Sequence, residues 1–213
     1  MNGILILLLL TVTAALPLII VFFRIKAHRP QITPAWFLAA VTAGILALLA
    51  AALIQSFFPH PVEDELAELL FGVFIRVAAV EEASRLLILI PLIKAAGRFN
   101  GGCTPFGAAI GLIAGLSFAA VENAYYGMAD INIAMLRAFT AAPLHGACGI
   151  RAGAAVSLMS RRPAQSLFLL ISAIIFHSAY NLIIVSPAIP SLLAVAVAVT
   201  AFLASLHLLN IDL

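Results

Sequence analysis

From Ile4 to Leu209 the chain is a succession of apolar runs, separated by short polar stretches. Each is close to the ~20 residues that a helix needs to cross the hydrocarbon core of a bilayer. Seven such helices are expected, over about 3–23, 34–57, 66–95, 103–127, 132–158, 164–185 and 188–209. Only 9% of the 213 residues are charged and 64% are hydrophobic. A soluble domain could not cover its surface with so little charge. The fold class expected is therefore all-α, a polytopic membrane bundle, with residues 1–213 forming one transmembrane domain. The net charge of +2 gives no reason to expect nucleic-acid binding.

The charges that exist are sorted by loop. Basic residues gather at Arg24, Lys26 and Arg29, at Lys94 and Arg98, and at Arg161 and Arg162. Acidic ones gather at Glu63, Asp64, Glu65 and Glu68, with Asp130 in another connection. The positive-inside rule puts the basic loops in the cytoplasm and predicts an N-out, C-in topology. The run from Ile4 to Phe23 has its basic residues after it, not before, as expected of a retained helix. No lipidation motif is recognised at either end. The first turns of the third segment, Pro61 to Leu70, read as an amphipathic interfacial helix. Cys103 and Cys148 lie in apolar stretches and are expected to be small packing residues, not a disulfide.

Against this background Glu81 and Glu82 stand out. They sit side by side inside the third apolar segment, where one carboxylate already costs ~2.5–3.5 kcal/mol on the mildest insertion scale. Crossing a membrane does not require such a pair. Its presence makes an intramembrane active site or ion path the leading expectation.

Depth along the helices adds further residues. Counting at ~1.5 Å per residue from the basic boundaries puts Glu81 at roughly 20 Å, His177 at roughly 22 Å and His145 at roughly 24 Å. Glu122 follows Thr104 by roughly 27 Å. Four helices thus bring acids and histidines to one layer in the outer half of the membrane. Glu81 and Arg85 are i, i+4 and able to pair, as are His177 and Asn181, and Glu122 and Tyr126. Gly107, Gly111, Gly115 and Ala119 form a ridge of small residues that admits a neighbouring helix. Glu122, seven positions beyond Gly115, faces nearly the same way. Pro143, two residues before His145, is expected to kink the fifth helix and to free the carbonyl of Phe139; Pro91 is expected to act likewise below the glutamate pair.

Each residue also has a structural reading. Glu81–Arg85 could be an ion pair that only holds helices, the histidines could be interhelical hydrogen-bonding groups, and Glu122 could bond Tyr126 or Asn123. Arg76, Arg137 and Arg151 are assigned no chemistry, and His28, His60 and His207 are expected to be solvated. Three acids, two histidines, an asparagine and an arginine in one layer exceed what packing needs.

A buried carboxylate beside a neutral histidine can hold and deprotonate water. A second histidine with an amide can donate to a developing oxyanion. The chain has neither a GxSxG elbow nor HExxH. Two histidines and a glutamate, here Glu81, His145 and His177, have the donor types for Zn²⁺, but their spacing does not demand it.

Val80-Glu-Glu-Ala-Ser-Arg85, Gly115-Leu-Ser-Phe-Ala-Ala-Val-Glu-Asn-Ala-Tyr-Tyr126, Pro143-Leu-His145 and Phe176-His-Ser-Ala-Tyr-Asn181 resemble the ordered motifs of PrsW-type intramembrane proteases. That family is related to the CAAX-prenyl endopeptidases and bacteriocin-processing membrane proteases. The resemblance puts the catalytic core at about 66–185. It implies that Glu81 with His145 activates water and that His177 and Asn181 stabilise the oxyanion. It further implies that Glu82 and Arg85 orient the site, and that Glu122 belongs to the same cluster. It implies a membrane-anchored or single-span substrate such as an anti-sigma factor, cut near the outer leaflet of a prokaryotic plasma membrane; from the residues themselves no cofactor is expected to be required, with Zn²⁺ at Glu81, His145 and His177 as the alternative. The competing readings are a proton- or ion-coupled transporter using the same acid–histidine layer, and a non-catalytic binding protein on a protease-like scaffold.

Overall fold

The computed structural model describes residues 16–27, 31–58, 66–100, 104–186 and 188–209. Cys103, His28, His60 and the acidic cluster at 63–65 lie outside them. The described residues are helical apart from short turns, with no strand among them. Helix α1 covers 16–27. It is followed by α2 (Pro34–Gln55), α3 (Leu66–Phe71), a π-helical segment (Gly72–Ala79) and α4 (Val80–Asn100). Then come α5 (Thr104–Gly127), α6 (Ile131–Phe139), α7 (Ala141–Leu158), α8 (Pro163–Val185), α9 (Leu192–Leu206) and a 3₁₀ turn (His207–Leu209).

Local chemistry sets several of these boundaries. Thr33 caps α2, its hydroxyl accepting from the Trp36 amide, and Pro34 takes the first turn, where no amide is missed. Asp130 caps α6 by accepting from the Asn132 amide at 2.9 Å. Pro163 opens α8 in the same way as Pro34 opens α2.

Four helical stretches are long and apolar enough to cross a membrane: Pro34–Gln55, Thr104–Ala129, Pro163–Val185 and Leu192–Leu209. The pair α6–α7, bent by 44°, makes a fifth if read as one broken span. Of the seven expected crossings, the first lies mostly outside the described residues. The third is one helical run from Leu66 to Asn100, set apart by its charges. The expected Pro61–Leu70 helix is described only from Leu66, where it runs on into the π-helical segment. Pro91 lies inside α4 without ending it.

The centre of the bundle is α5 against α7, with α2 on the other side of α5, and α4, α8 and α9 around α7. The expected glycine ridge is what lets α5 and α7 meet. A Cβ on Gly107, Gly111 or Gly115 would collide with the backbone of Gly153, Gly149 or His145 respectively. The facing glycines Gly149 and Gly153 return the same constraint. Two antiparallel rows of glycine therefore interlock, and His145 sits at the end of the row. Gly44 does the same for α2 against the Ala114 carbonyl.

Candidate active site

The polar layer expected from depth is a connected chain of side chains. Glu81, Glu82 and Arg85 come from the first turns of α4, directly after the π-helical segment, where the Val80 amide still donates to the Ile75 carbonyl. Such π insertions occur frequently at functional sites. Glu122 and Asn123 come from α5, Arg137 from α6, His145 from α7 and His177 from α8. Glu81, Glu82, Arg85, His145 and His177 are all buried, Glu82 and Arg85 completely.

Glu82 accepts from His177 Nδ1 at 2.8 Å through one oxygen and from Arg85 Nη1 through the other. Arg85 Nη2 reaches His145 Nδ1 at 3.2 Å. His145 Nε2 lies 2.8 Å from Glu122 Oε2, which also pairs with Arg137 Nη2 at 2.7 Å. Arg137 Nε donates to Asn123 Oδ1 at 3.0 Å. Phe118 lies against the His145 ring, with the Arg85 guanidinium 4.6 Å from its centroid. The two imidazoles meet edge to face at 4.9 Å.

The donor inventory assigns one ring hydrogen of each histidine. A guanidinium only donates, so His145 Nδ1 accepts and Nε2 carries the ring hydrogen on the side of Glu122, with which it pairs. Glu82, paired with Arg85, accepts, so His177 Nδ1 carries a hydrogen. The other ring nitrogen, Nε2, faces Glu81. One Glu81 oxygen accepts from Gln55 Nε2 at 3.3 Å; the other, Oε2, lies 3.7 Å from His177 Nε2 and has no hydrogen-bond partner among the described residues. A buried polar atom left in this state is costly.

The pairing differs from the expected one in two places. Arg85 bonds Glu82 at i, i+3, not Glu81 at i, i+4, because its other arm is held by His145 while Glu81 turns toward Gln55. Glu122 bonds neither Tyr126 nor Asn123 but His145 and Arg137. Asn181, one turn beyond His177, is partly exposed and makes no hydrogen bond to the cluster among the described residues. Gln55 and Arg137 were not foreseen as site residues. Gln55 has a weak signal as the one amide in an otherwise apolar helix. Arg137 reaches the site only because the chain breaks at Thr140, whose hydroxyl shares a 2.9 Å hydrogen bond with Tyr180. This break is the kink expected from Pro143.

Glu81, His145 and His177 each offer a ligand atom within 4.8 Å of the others. These are the donor types of a hydrolytic zinc centre, and a ligating histidine usually gives its second N–H to a carboxylate, as His177 does to Glu82. Glu81 Oε2 and His177 Nε2 are open donors; His145 joins them by releasing Arg85 or Glu122. A second trio, Glu82, Cys148 and His177, fits less well. Both Glu82 oxygens are already engaged, and the free thiol of Cys148 points at the Ala173 carbonyl.

No curated protein and no solved structure matches the chain. Residues 33–207 match the family described as PrsW family intramembrane metalloprotease. The description names a metal, so the expectation of a cofactor-free enzyme is not supported, and the donor set above fits the group. The match covers well over half of the chain and contains every residue of the buried cluster, and the protein therefore belongs to the PrsW family of intramembrane proteases and is a peptide hydrolase of the membrane.

Proposed function

We propose that this protein is an intramembrane endopeptidase that cuts a membrane-anchored substrate with a water molecule held between Glu81 and His177. The observation that carries this is the buried Glu81 Oε2, without a hydrogen-bond partner among the described residues and facing His177 Nε2 at 3.7 Å. One water can touch both atoms. Glu81 takes its proton as general base, and His177, steadied by Glu82, fixes its direction. Arg85 holds Glu82 and His145 in register, while Glu122 and Arg137 hold His145 from the other side. Asn181, free of the cluster, supplies an amide N–H to the oxyanion. His177 thereby takes the place beside Glu81 that the resemblance gave to His145.

Glu81, His145 and His177 would hold a divalent metal, which when bound acidifies water and polarises the scissile carbonyl. The second reading, glutamate-base catalysis alone, is favoured by the engagement of both His145 nitrogens. The transporter alternative finds no support in a protease family. The charge sorting of the loops puts the cut toward the external face, and the family resemblance implies a single-span substrate in a prokaryotic plasma membrane, such as an anti-sigma factor.

The test is Glu81→Gln, close to isosteric, in purified folded protein with a single-span peptide substrate. Loss of a positioned base costs ~10²–10⁴-fold. Turnover is expected to vanish while substrate crosslinking persists. Substantial turnover would remove Glu81 from the chemistry. Metal analysis of the same preparations separates the two readings. Activity lost on chelation and restored by Zn²⁺ supports the metal; full activity in demonstrably metal-free protein leaves Glu81 as the base.

A further inference from the structure

Arg151 belongs to none of the chemistry above, yet it is a buried cation in the middle of α7. Its partners are neutral. Nε donates to Ser205 Oγ at 2.9 Å, Nη1 to Ser172 Oγ at 2.7 Å, and Nη2 reaches the Ala204 carbonyl at 3.5 Å. Both serine hydroxyls spend their own hydrogens on carbonyls of their helices, Ser172 on Leu169 and Ser205 on Ala201. The Phe176 ring lies 5.0 Å from the guanidinium. Among the described residues no carboxylate lies within ion-pairing reach of Arg151. A charge kept in a membrane segment without a counter-charge is costly, and a guanidinium has five N–H groups, of which these bonds use three.

The guanidinium lines a cavity of about 410 Å³ with Gln165, Ser172 and His207 as its other polar walls. Gln165 is in the first turn of α8 and His207 at the end of α9, so the cavity opens where these helices end. Arg151 lies seven residues inside the end of α7, ~10 Å deep. Arg161 and Arg162, both exposed, add positive charge at the same end of α8. Phe168 and Ile175 form the apolar wall and are 65% and 55% exposed, so the cavity faces the lipid.

We propose that this cavity binds a phosphate oxyanion, with Arg151 as its charge partner and Gln165 and His207 as donors at its mouth. A guanidinium suits this role because its fork matches phosphate oxygens. The phosphate can come from an anionic phospholipid, whose acyl chains would lie along Phe168 and Ile175, or from the aqueous phase.

The experiment uses the full chain in detergent and measures thermal unfolding and bound mass by native mass spectrometry. Three probes are added separately: phosphatidylglycerol, a neutral glycolipid with the same acyl chains, and inorganic phosphate. Phosphatidylglycerol is expected to raise Tm by several degrees and to remain bound one per protein, with no comparable effect of the glycolipid. Arg151→Gln should weaken this binding at least about tenfold, as expected for a lost charge-assisted hydrogen bond. Gln165→Ala and His207→Ala, at exposed positions that keep the fold, should weaken it by smaller factors and serve if Arg151→Gln does not fold. A response to phosphate alone, with the same variant dependence, supports the oxyanion site and assigns it to the aqueous source. Equal stabilisation by glycolipid and phosphatidylglycerol, or binding untouched in all folded variants, overturns the proposal.

Discussion

Arg85 gives its two terminal nitrogens to different ends of the cluster, one to Glu82 and one to His145. Lysine keeps the charge but has no fork. Arg85→Lys should therefore fold and retain one of the two contacts, with hydrolysis reduced roughly 10–100-fold, a loss on the order of 1.4–3 kcal/mol. Arg85→Ala leaves Glu82 buried with His177 alone and without the guanidinium, and breaking such a pair costs ~3–5 kcal/mol. It should unfold at clearly lower temperature as well as lose activity. Equal, near-complete activity in both variants, measured beside Tm, would take Arg85 out of the site. Which residues belong to the layer could be read from the chain because depth is linear in residue number; Glu81, Glu122, His145 and His177 were found that way. Which atom bonds which could not. Azimuth around each helix depends on the π-helical segment before Glu81 and the break at Thr140. On a straight helix Arg137 would lie eight residues and ~12 Å from His145. The 44° bend brings it onto Glu122 instead.

At the scale of elements, the glycines separate into two kinds with opposite expected behaviour. Gly111 meets the Gly149 carbonyl, so Gly111→Ala overpacks the α5–α7 contact and should cost about 1–3 kcal/mol in detergent unfolding. Because Gly115 meets the His145 carbonyl, Gly115→Ala should also lower activity by displacing that histidine. Gly72 has nothing within 4 Å of an added Cβ. Gly72→Ala should be neutral or stabilising by ~0.5–1 kcal/mol, since alanine restricts the unfolded chain more. A Gly111→Ala variant as stable as the parent would contradict the interlocking rows. The ridge itself was evident from the four-residue spacing of Gly107, Gly111 and Gly115; its partner, Gly149 and Gly153, was not, because small residues crowd most helices of such a chain.

For the whole molecule the open quantity is orientation. The basic loops predict that the turn after α7 faces the cytoplasm and the turn after α5 faces outside. Ala129 and Ser160 are exposed in those two turns. In a background with Cys103 and Cys148 replaced, Ala129→Cys should react with a membrane-impermeant thiol reagent in intact cells, and Ser160→Cys only after permeabilisation. The reverse pattern would move the proposed cut to the cytoplasmic half.

The interlocked glycine rows also determine where this chain can change in length. Contacts repeating every four residues mesh like gear teeth, so α5 and α7 can slip only by whole teeth. One residue inserted between Gly115 and Glu122 leaves the teeth engaged but rotates the carboxylate by ~100° and lifts it ~1.5 Å. Glu122 then leaves His145 and Arg137 together. The same insertion after Val185, in the connection to α9, has no such lever on the site. Length changes in this fold are thus confined to the connections, while the stretch from Gly107 to Glu122 behaves as a ruler of fixed length.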